Sequence, residues 1–441
     1  MDSLWTDTSK KPKFQPLDQD KKTDVLIIGG GMAGVLCAYL LQQAGVNYIL
    51  VEADGIGSGI TQDTTAKITS QHGLFYRQMV KRFGADKARL YLEVNQLALD
   101  QYRQLCQKID CDFETKDAYV YSLDDYDKIE DEYKALKGSD FSCHLEKNVP
   151  LPFSISGALR FENQAQFHPL KFLYAISKGL NIYEHTKVQE LVPQKRGAIF
   201  ATTAHASVEA RKIIVATHFP FINKHGSYFL KMYQHRSYVI ALENGPDVEG
   251  MYIDEADNGL SFRNYKNLLL IGGGGHRTGK SGGNWAELER FSLANFTKMN
   301  IKYRWATQDC MTLDSIPYIG PYSGSTNQLY VATGFNKWGM TSSMVAAMIL
   351  SDLVQEKENK YSPIFSPSRS MLRPQLMANG WEATMGLLTP KTKRCPHMGC
   401  ALKWNATEHT WDCSCHGSRF TEDGKLIDNP ATGDLKETDR N

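Results

Sequence analysis

Between residues 395 and 420 the sequence reads CPHMGCALKWNATEHTWDCSCHGSRF, four cysteines and three histidines in one short stretch. Cys395 and His397 form C-x-H, Cys413 and His416 form C-x-x-H, and residues 398–412 separate the two pairs. Two thiolates and two neutral imidazoles are a donor set for a metal centre, and a tetrahedral zinc ion is one occupant they could take. Zinc leaves the positions of Cys400, Cys415, Gly417 and Ser418 without a purpose.

The other chemical signature lies near the N-terminus. GGGMAG satisfies G-x-G-x-x-G through Gly29, Gly31 and Gly34, with Met32 and Ala33 between them. Glycine there permits a tight turn, backbone approach to a pyrophosphate and close packing of helix on strand, with the helix N-terminus facing the phosphates. Glu52 follows at the end of the next apolar run, placed to accept ribose hydroxyls. The motif alone does not choose between NAD and FAD.

The elements that must position these groups are readable from periodicity. TDVLIIGGGMAGVLCAYLLQQAGVNYILVEA reads as strand, glycine turn, helix and strand. Residues 76–108 have helical spacing broken near Gly84, 111–123 alternate like a strand, and 124–137 form a charged helix. Strands then dominate, around helices at 169–180 and 284–300, until a buried strand, a glycine turn and a long apolar helix close the pattern near Val354. The Pro- and Ser-rich KENKYSPIFSPSRSMLRPQ reads as a linker or surface-crossing tail.

Composition is that of a soluble globular protein: 441 residues, 42% apolar and 22% charged. A net charge of +1 gives no electrostatic reason to expect nucleic acid or an anionic membrane as partner. No apolar stretch follows the charges of the N-terminus, and the longest apolar run, MVAAMIL at 344–350, is too short to span a bilayer. A cytoplasmic protein without a membrane span is expected.

Three further stretches, GIGSGITQDTTAK (55–67), RKIIVATH (211–218) and the pair DSIPYIG and VATGFNKWGMT (314–341), follow the glycine motif in order. Together they resemble the D-amino-acid oxidase, glycine oxidase and sarcosine oxidase family of flavoproteins over roughly residues 22–356. The resemblance implies non-covalent FAD. Ser58, Gly59, Thr64, Thr65, Ala66 and Lys67 would line the pyrophosphate and flavin edge, and Val188 would meet the adenine. Ala216 and Thr217 would lie beside the cofactor. Gly334, Trp338, Gly339, Met340 and Thr341 would hold the pyrimidine end of the flavin. His218 stands where relatives have a small residue and is read as a core or surface histidine. Lys67 and His276 are the candidate catalytic residues, with His72, Tyr265, Arg277 and Lys337 as further pocket candidates.

The C-terminal pattern resembles the Rieske iron–sulfur domain, in which two thiolates bind one iron of a [2Fe–2S] cluster and two imidazoles the other. That likeness implies Cys395, His397, Cys413 and His416 as ligands and Cys400–Cys415 as a disulfide. It also implies a sulfide-bonding hydroxyl on Ser418, Phe420 in place of a common tyrosine, and a covering loop at Asn429-Pro430-Ala431. The stretch before the first ligand loop has room for about one strand, so the supporting half of the domain is expected to be cut down, with the domain either leaning on the flavin domain or holding its cluster unstably.

The expected fold is α/β: a Rossmann-like FAD-binding domain with an antiparallel-sheet substrate domain, plus a small, mainly-β Rieske domain. The expected division is an extension at 1–22, the oxidoreductase at 23–356, a linker at 357–390 and the Rieske domain at 391–441. Within the oxidoreductase, 23–95, 155–225 and 315–356 would bind FAD, and 96–154 and 226–314 would form the substrate domain. The expected function is an FAD-dependent dehydrogenase of an amine or amino-acid-like C–N bond. Electrons would pass from FAD to the cluster and on to an external one-electron acceptor. Reversed flow from an external donor, a redox module without amine turnover, and an amine oxidase with a vestigial Rieske tail are the alternatives.

Overall fold

The computed structural model describes residues 3–436 except 139–140, 195–196, 223–224, 297–298 and 391; the extreme ends of the expected N-terminal and C-terminal segments lie outside the described residues. The described residues form three sheets. The first runs Tyr318–Pro321, Leu329–Thr333, Ser207–Val215, Lys21–Ile28, Tyr48–Val51, Ile182–Tyr183, with the hairpin of Glu190–Pro193 and Ile199–Thr202 beside Ser207–Val215. Its central pairings are parallel, with Ile28 opposite both Val51 and Val215. Val25 to Ile28 are all buried, as a strand covered on both faces requires. The helices Met32–Gln43 and Gly339–Val354 pack together against it, their apolar side chains forming the main core.

The second sheet runs Asn300–Thr312, Met232–Glu243, Leu268–Arg277, Ser261–Tyr265, Met251–Asp254, Glu114–Ser122, Gly157–Gln166, Lys67–Ile68, with Cys143–Glu146 beside Gly157–Gln166. Its pairings are antiparallel except between Met251–Asp254 and Glu114–Ser122. The third is an antiparallel meander of Leu402–Asn405, Thr410–Cys413, Arg419–Thr421 and Leu426–Asp428. Among the described residues no helix is long and apolar enough to cross a membrane.

Two segments differ from expectation. The N-terminal extension is built into the core: Leu4, Trp5 and Leu17 are buried, and Trp5 Nε1 donates to Thr64 O at 2.7 Å. Residues 357–390, expected as a linker, carry the helices Ser362–Phe365 and Pro374–Leu388. A Cβ on Gly386 would lie 2.7 Å from Cys415 Sγ, so this second helix packs directly on the cysteine loops.

Candidate active site and metal centre

The strand Lys21–Ile28 turns sharply at Gly29, whose φ is 112°. A Cβ on Gly29 would meet Ala216 O at 2.5 Å and one on Gly34 would meet Gly29 O at 1.9 Å, so both positions require glycine. Glu52 closes the turn by accepting hydrogen bonds from the Gly30 and Asp54 N–H groups. Burial raises its pKa, and those donors oppose the rise.

A cavity of about 1400 Å³ opens over this turn. That exceeds the ~300–1,000 Å³ of an ordinary small-ligand pocket and leaves room for a dinucleotide with a substrate beside it. Gly29, Gly31, Met32, Ala33 and Glu52 line one end. Ser58, Gly59, Thr64, Thr65, Lys67 and Val188 line its walls, as do Ala216, Thr217 and His218. Gly334, Trp338, Gly339 and Met340 line the end where the helix Gly339–Val354 begins, and its first N–H groups carry partial positive charge there. Three expected contacts lie behind this lining. Gly34 packs helix on strand, Ala66 is buried with its carbonyl accepting from Arg263 Nη1 at 2.9 Å, and Thr341 Oγ1 donates to Thr69 O at 3.0 Å.

Lys67 borders the cavity, its Nζ 3.4 Å from Thr65 Oγ1. Burial, then the charge of Arg263, lowers its pKa to about 7. His72 also faces the cavity but is fully engaged: Nδ1 lies 2.7 Å from Tyr91 Oη, Nε2 lies 2.9 Å from Thr69 O, and the ring stacks on Trp338. It acts as a prop for Trp338. His218, expected in the core or at the surface, borders the cavity at φ 63°, with Nε2 buried and unpartnered.

His276, Tyr265 and Arg277 are not brought to this lining. His276 stacks on Tyr238 and lines a separate pocket of about 420 Å³ with His235 and Arg277. Lys337 borders both spaces. Tyr265 donates to Asp112 at 2.8 Å. The Arg277 guanidinium is taken by Ser414 O at 3.0 Å, Cys415 O at 3.1 Å and Asn379 Oδ1 at 3.0 Å.

The C-terminal loops bring their four donors together. His397 Nδ1 and His416 Nδ1 face each other at 3.3 Å, and the Cys395 and Cys413 thiols are hydrogen-bonded. Burial lowers His397 to about 4 and His416 to about 3, so both rings are neutral, the form a ligand needs. The Cys395 thiol and the N–H groups of Cys415, His416 and Gly417 favour thiolate at Cys413. This pairing of sulfur with sulfur and nitrogen with nitrogen fits a two-iron cluster. Cys400 and Cys415 form a disulfide with Cα atoms 6.7 Å apart. The Cys400, Cys413 and Cys415 sulfurs also cluster, but two of them are in that bond and cannot be ligands. Ser418 Oγ accepts from Ala431 N at 3.0 Å and reaches the Cys395 thiol.

The cluster loops rest on the large second sheet. Gln234 Nε2 donates to His416 O at 2.9 Å and Asn429 O at 2.8 Å, while Gln308 Nε2 reaches Gly417 O at 2.8 Å. Asn429 Nδ2 in turn donates to Thr217 O at 2.8 Å and Phe219 O at 2.9 Å. Glu408, Arg419, Asp428 and Asn429 therefore form part of the same cavity wall as Thr217. Sequence reasoning missed Gln234, Gln308, Arg236 and Glu408, which carry no local motif. It also missed Trp5, whose only signal was an aromatic residue in a polar stretch.

A model of the FAD dependent oxidoreductase family matches residues 24–353, and one of the Rieske [2Fe-2S] domain matches residues 385–439. The Rieske 2Fe-2S iron-sulfur protein YhfW of Bacillus subtilis is 36% identical, covering 99% of this chain and 97% of its own. Gamma-glutamylputrescine oxidoreductase of Escherichia coli is 22% identical, covering 80% of this chain and 88% of its own. The solved glycine oxidase of Geobacillus kaustophilus superposes with a TM-score of 0.67 at 19% identity, covering 79% of this chain and 99% of its own. The chain belongs to the FAD dependent oxidoreductase family and joins to that fold a Rieske domain, so FAD and a [2Fe–2S] cluster are its resident groups.

Proposed function

We propose that the protein is an FAD-dependent dehydrogenase of an amine or amino-acid-like C–N bond whose electrons leave through the [2Fe–2S] cluster to an external one-electron acceptor, in the cytoplasm. The observation that carries this reading is Asn429, which lines the cavity and joins the carbonyls of Thr217, on the cavity wall, and of Phe219, buried beside it, to the loop expected to cover the metal ligands. A vestigial tail would have no reason to keep such a joint. Bound FAD supplies two-electron acceptance and the cluster one-electron transfer.

In this reading Gly29, Gly31, Met32 and Ala33 receive the pyrophosphate and Glu52 the ribose. Ser58, Gly59, Thr64 and Thr65 hold the flavin edge, and Val188 borders the adenine. Trp338, braced by His72, with Gly339 and Met340 at the helix start, fixes the pyrimidine end. Lys67 supplies a positive charge or a neutral amine near neutral pH, because its pKa is lowered to about 7 by burial and then Arg263. The names of the relatives, a glycine oxidase and a gamma-glutamylputrescine oxidoreductase, support C–N chemistry.

The test is electron paramagnetic resonance of anaerobic holoenzyme reduced by a panel of amines and amino acids, and separately by dithionite. A Rieske signal raised by a C–N substrate is the expected result. A flavin bleached by substrate with the cluster still oxidised would leave an oxidase, and a cluster reducible only by dithionite would leave a redox module.

A further inference from the structure

Along the strand Asn300–Thr312, Trp305, Thr307 and Asp309 are spaced by two and so share one face. All three line the large cavity. This part of the strand is stapled to the turn before the helix Gly339–Val354: Asn336 N donates to Cys310 O at 3.1 Å, and Asn336 Oδ1 accepts from Thr312 N at 2.8 Å. Asp309 thus stands next to the segment, Gly334 to Met340, assigned above to the flavin. Thr307 is 8% exposed, and its hydroxyl, in the cavity wall, has no hydrogen-bond partner. Among the described residues, no hydrogen bond or salt bridge engages the Asp309 carboxylate. The charges that reach it are those of Lys337 and Arg236, and His235 stands opposite on the adjoining strand.

The cations tell the complementary story. A guanidinium is the group suited to two-point recognition of a carboxylate. Three arginines line the cavity, and each is already paired: Arg77 with Asp131 at 2.9 Å, Arg236 with Glu408, and Arg419 with Glu408 at 2.8 Å and Asp412 at 3.1 Å. Arg277 is held by the cluster loop. The lysines that line the cavity are point charges and not two-point forks. Lys128 pairs with Glu255 at 2.8 Å, Lys187 donates to Thr432 O at 2.8 Å, Lys67 lies beside Thr65, and Lys337 is the first charge that reaches Asp309. The cavity thus offers an open carboxylate and an unpartnered hydroxyl but no free guanidinium among the described residues.

We propose that Asp309, with Thr307 beside it, is the recognition site for the ammonium of a cationic amine substrate, and that this substrate needs no carboxylate. The inference rests on the dehydrogenase reading and narrows its substrate class to amines. Burial raises the Asp309 carboxyl to about 6, with Lys337 and then Arg236 opposing the rise, so it is ionised at neutral pH. Removing one charged hydrogen bond weakens binding by about 10–100-fold.

The experiment uses FAD-loaded holoenzyme in two arms. Anaerobic flavin bleaching is followed with matched pairs, ethylamine against alanine and 1,4-diaminobutane against ornithine. Flavin difference spectra are titrated with tetramethylammonium and with acetate, which need no turnover. The amine of each pair is expected to bleach faster. Tetramethylammonium is expected to perturb the flavin spectrum, and Asp309→Asn to weaken both effects about 10–100-fold at unchanged FAD content and melting temperature, with Asp309→Glu restoring most of the loss. Preference for the amino acids, or cation binding indifferent to Asp309→Asn, overturns the proposal. Bleaching by nothing in the panel, with Asp309-dependent cation binding retained, overturns the dehydrogenase reading and upholds the site.

Discussion

Arg236 on the second sheet and Glu408 at the tip of the Rieske hairpin form a two-pronged ion pair across 172 residues of sequence, with Nε donating to Oε1 at 2.9 Å and Nη2 to Oε2. Both side chains are 8% exposed. Tyr238 Oη donates to Oε1 at 2.9 Å, and Arg419 Nη2 to Oε2 at 2.8 Å. The carboxylate is therefore saturated with donors from both parts of the chain. Removing one partner from a buried pair of this kind costs about 3–5 kcal/mol. Glu408→Gln should loosen the Rieske domain from the sheet, read as a separate, earlier unfolding step in calorimetry; a single unchanged transition would show that the pair does not hold the two parts together.

The same pair sets an acid limit. Burial raises the Glu408 pKa, but Arg236, Arg419 and Tyr238 more than reverse it and bring it to about 2, against an ordinary 4.5. A depressed carboxyl contributes stability in full above its unfolded value and loses it as pH falls through the folded one. The docked state should be insensitive to this group from neutral pH to about 4.5 and weaken progressively towards about 2. Melting temperature against pH for the parent and Glu408→Gln should diverge above that window and converge below it.

Gln234 and Gln308 support the cluster loops from the second sheet. Gln308 Nε2 donates to Gln234 Oε1 at 2.7 Å and Thr278 Oγ1 donates to Gln308 Oε1 at 2.9 Å, so each amide is held in one orientation. Gln234→Ala strands the carbonyls of His416 and Asn429, at about 1–3 kcal/mol for each buried group left unpaired. Iron and sulfide per chain should fall after purification while FAD per chain stays constant. Equal cluster content in the variant would mean that the four-stranded meander supports the loops unaided.

What could be read from sequence and what could not divides along one physical line. The glycine turn, Glu52 and the two ligand pairs are local: their spacing alone satisfies a turn, a helix N-terminus or a clasp, and the structure has them together. The Asn429 bridge, the Arg236–Glu408 pair and the Gln234 clasp join residues more than 150 positions apart, and no periodicity announces them. The helix Pro374–Leu388 was hidden differently. Its Pro- and Ser-rich approach reads as linker, and its two glycines, Gly380 and Gly386, lower its propensity; yet Gly386 is what lets it reach the disulfide. His276 follows a glycine run as a ligand-facing residue often does, and Gly272 and Gly273 of that run do line the large cavity, but His276 itself stands in the separate pocket.

Two glycines of the proposed FAD site separate folding from binding. A Cβ at Gly34 has no room, lying 1.9 Å from Gly29 O, whereas one at Gly59 has nothing within 4 Å. Gly34→Ala should lower the melting temperature or prevent folding. Gly59→Ala should melt like the parent and retain less FAD, because its methyl meets no protein atom within 4 Å and would enter the space proposed for the cofactor. Full FAD occupancy in Gly59→Ala would remove this residue from the proposed flavin contacts.

Lys67 gives the last prediction: its charged form costs stability where that of Glu408 contributes it, although stability rises with pH across both windows. Burial, then Arg263, lowers its pKa from 10.5 to about 7. Between those values the unfolded chain binds a proton that the folded chain does not, so stability rises with pH across the window. Below about 7 both states are protonated and the fold carries the full penalty of a cation beside Arg263. Lys67→Met removes that penalty. The FAD-free variant should melt higher than the FAD-free parent below pH 7, with the gap closing towards pH 10.5. If the ammonium serves the bound flavin, the ordering should reverse on loading, because the parent gains an attraction that methionine cannot supply. Parent and variant curves that run parallel at every pH would show that the ammonium is solvated and feels neither Arg263 nor the cavity.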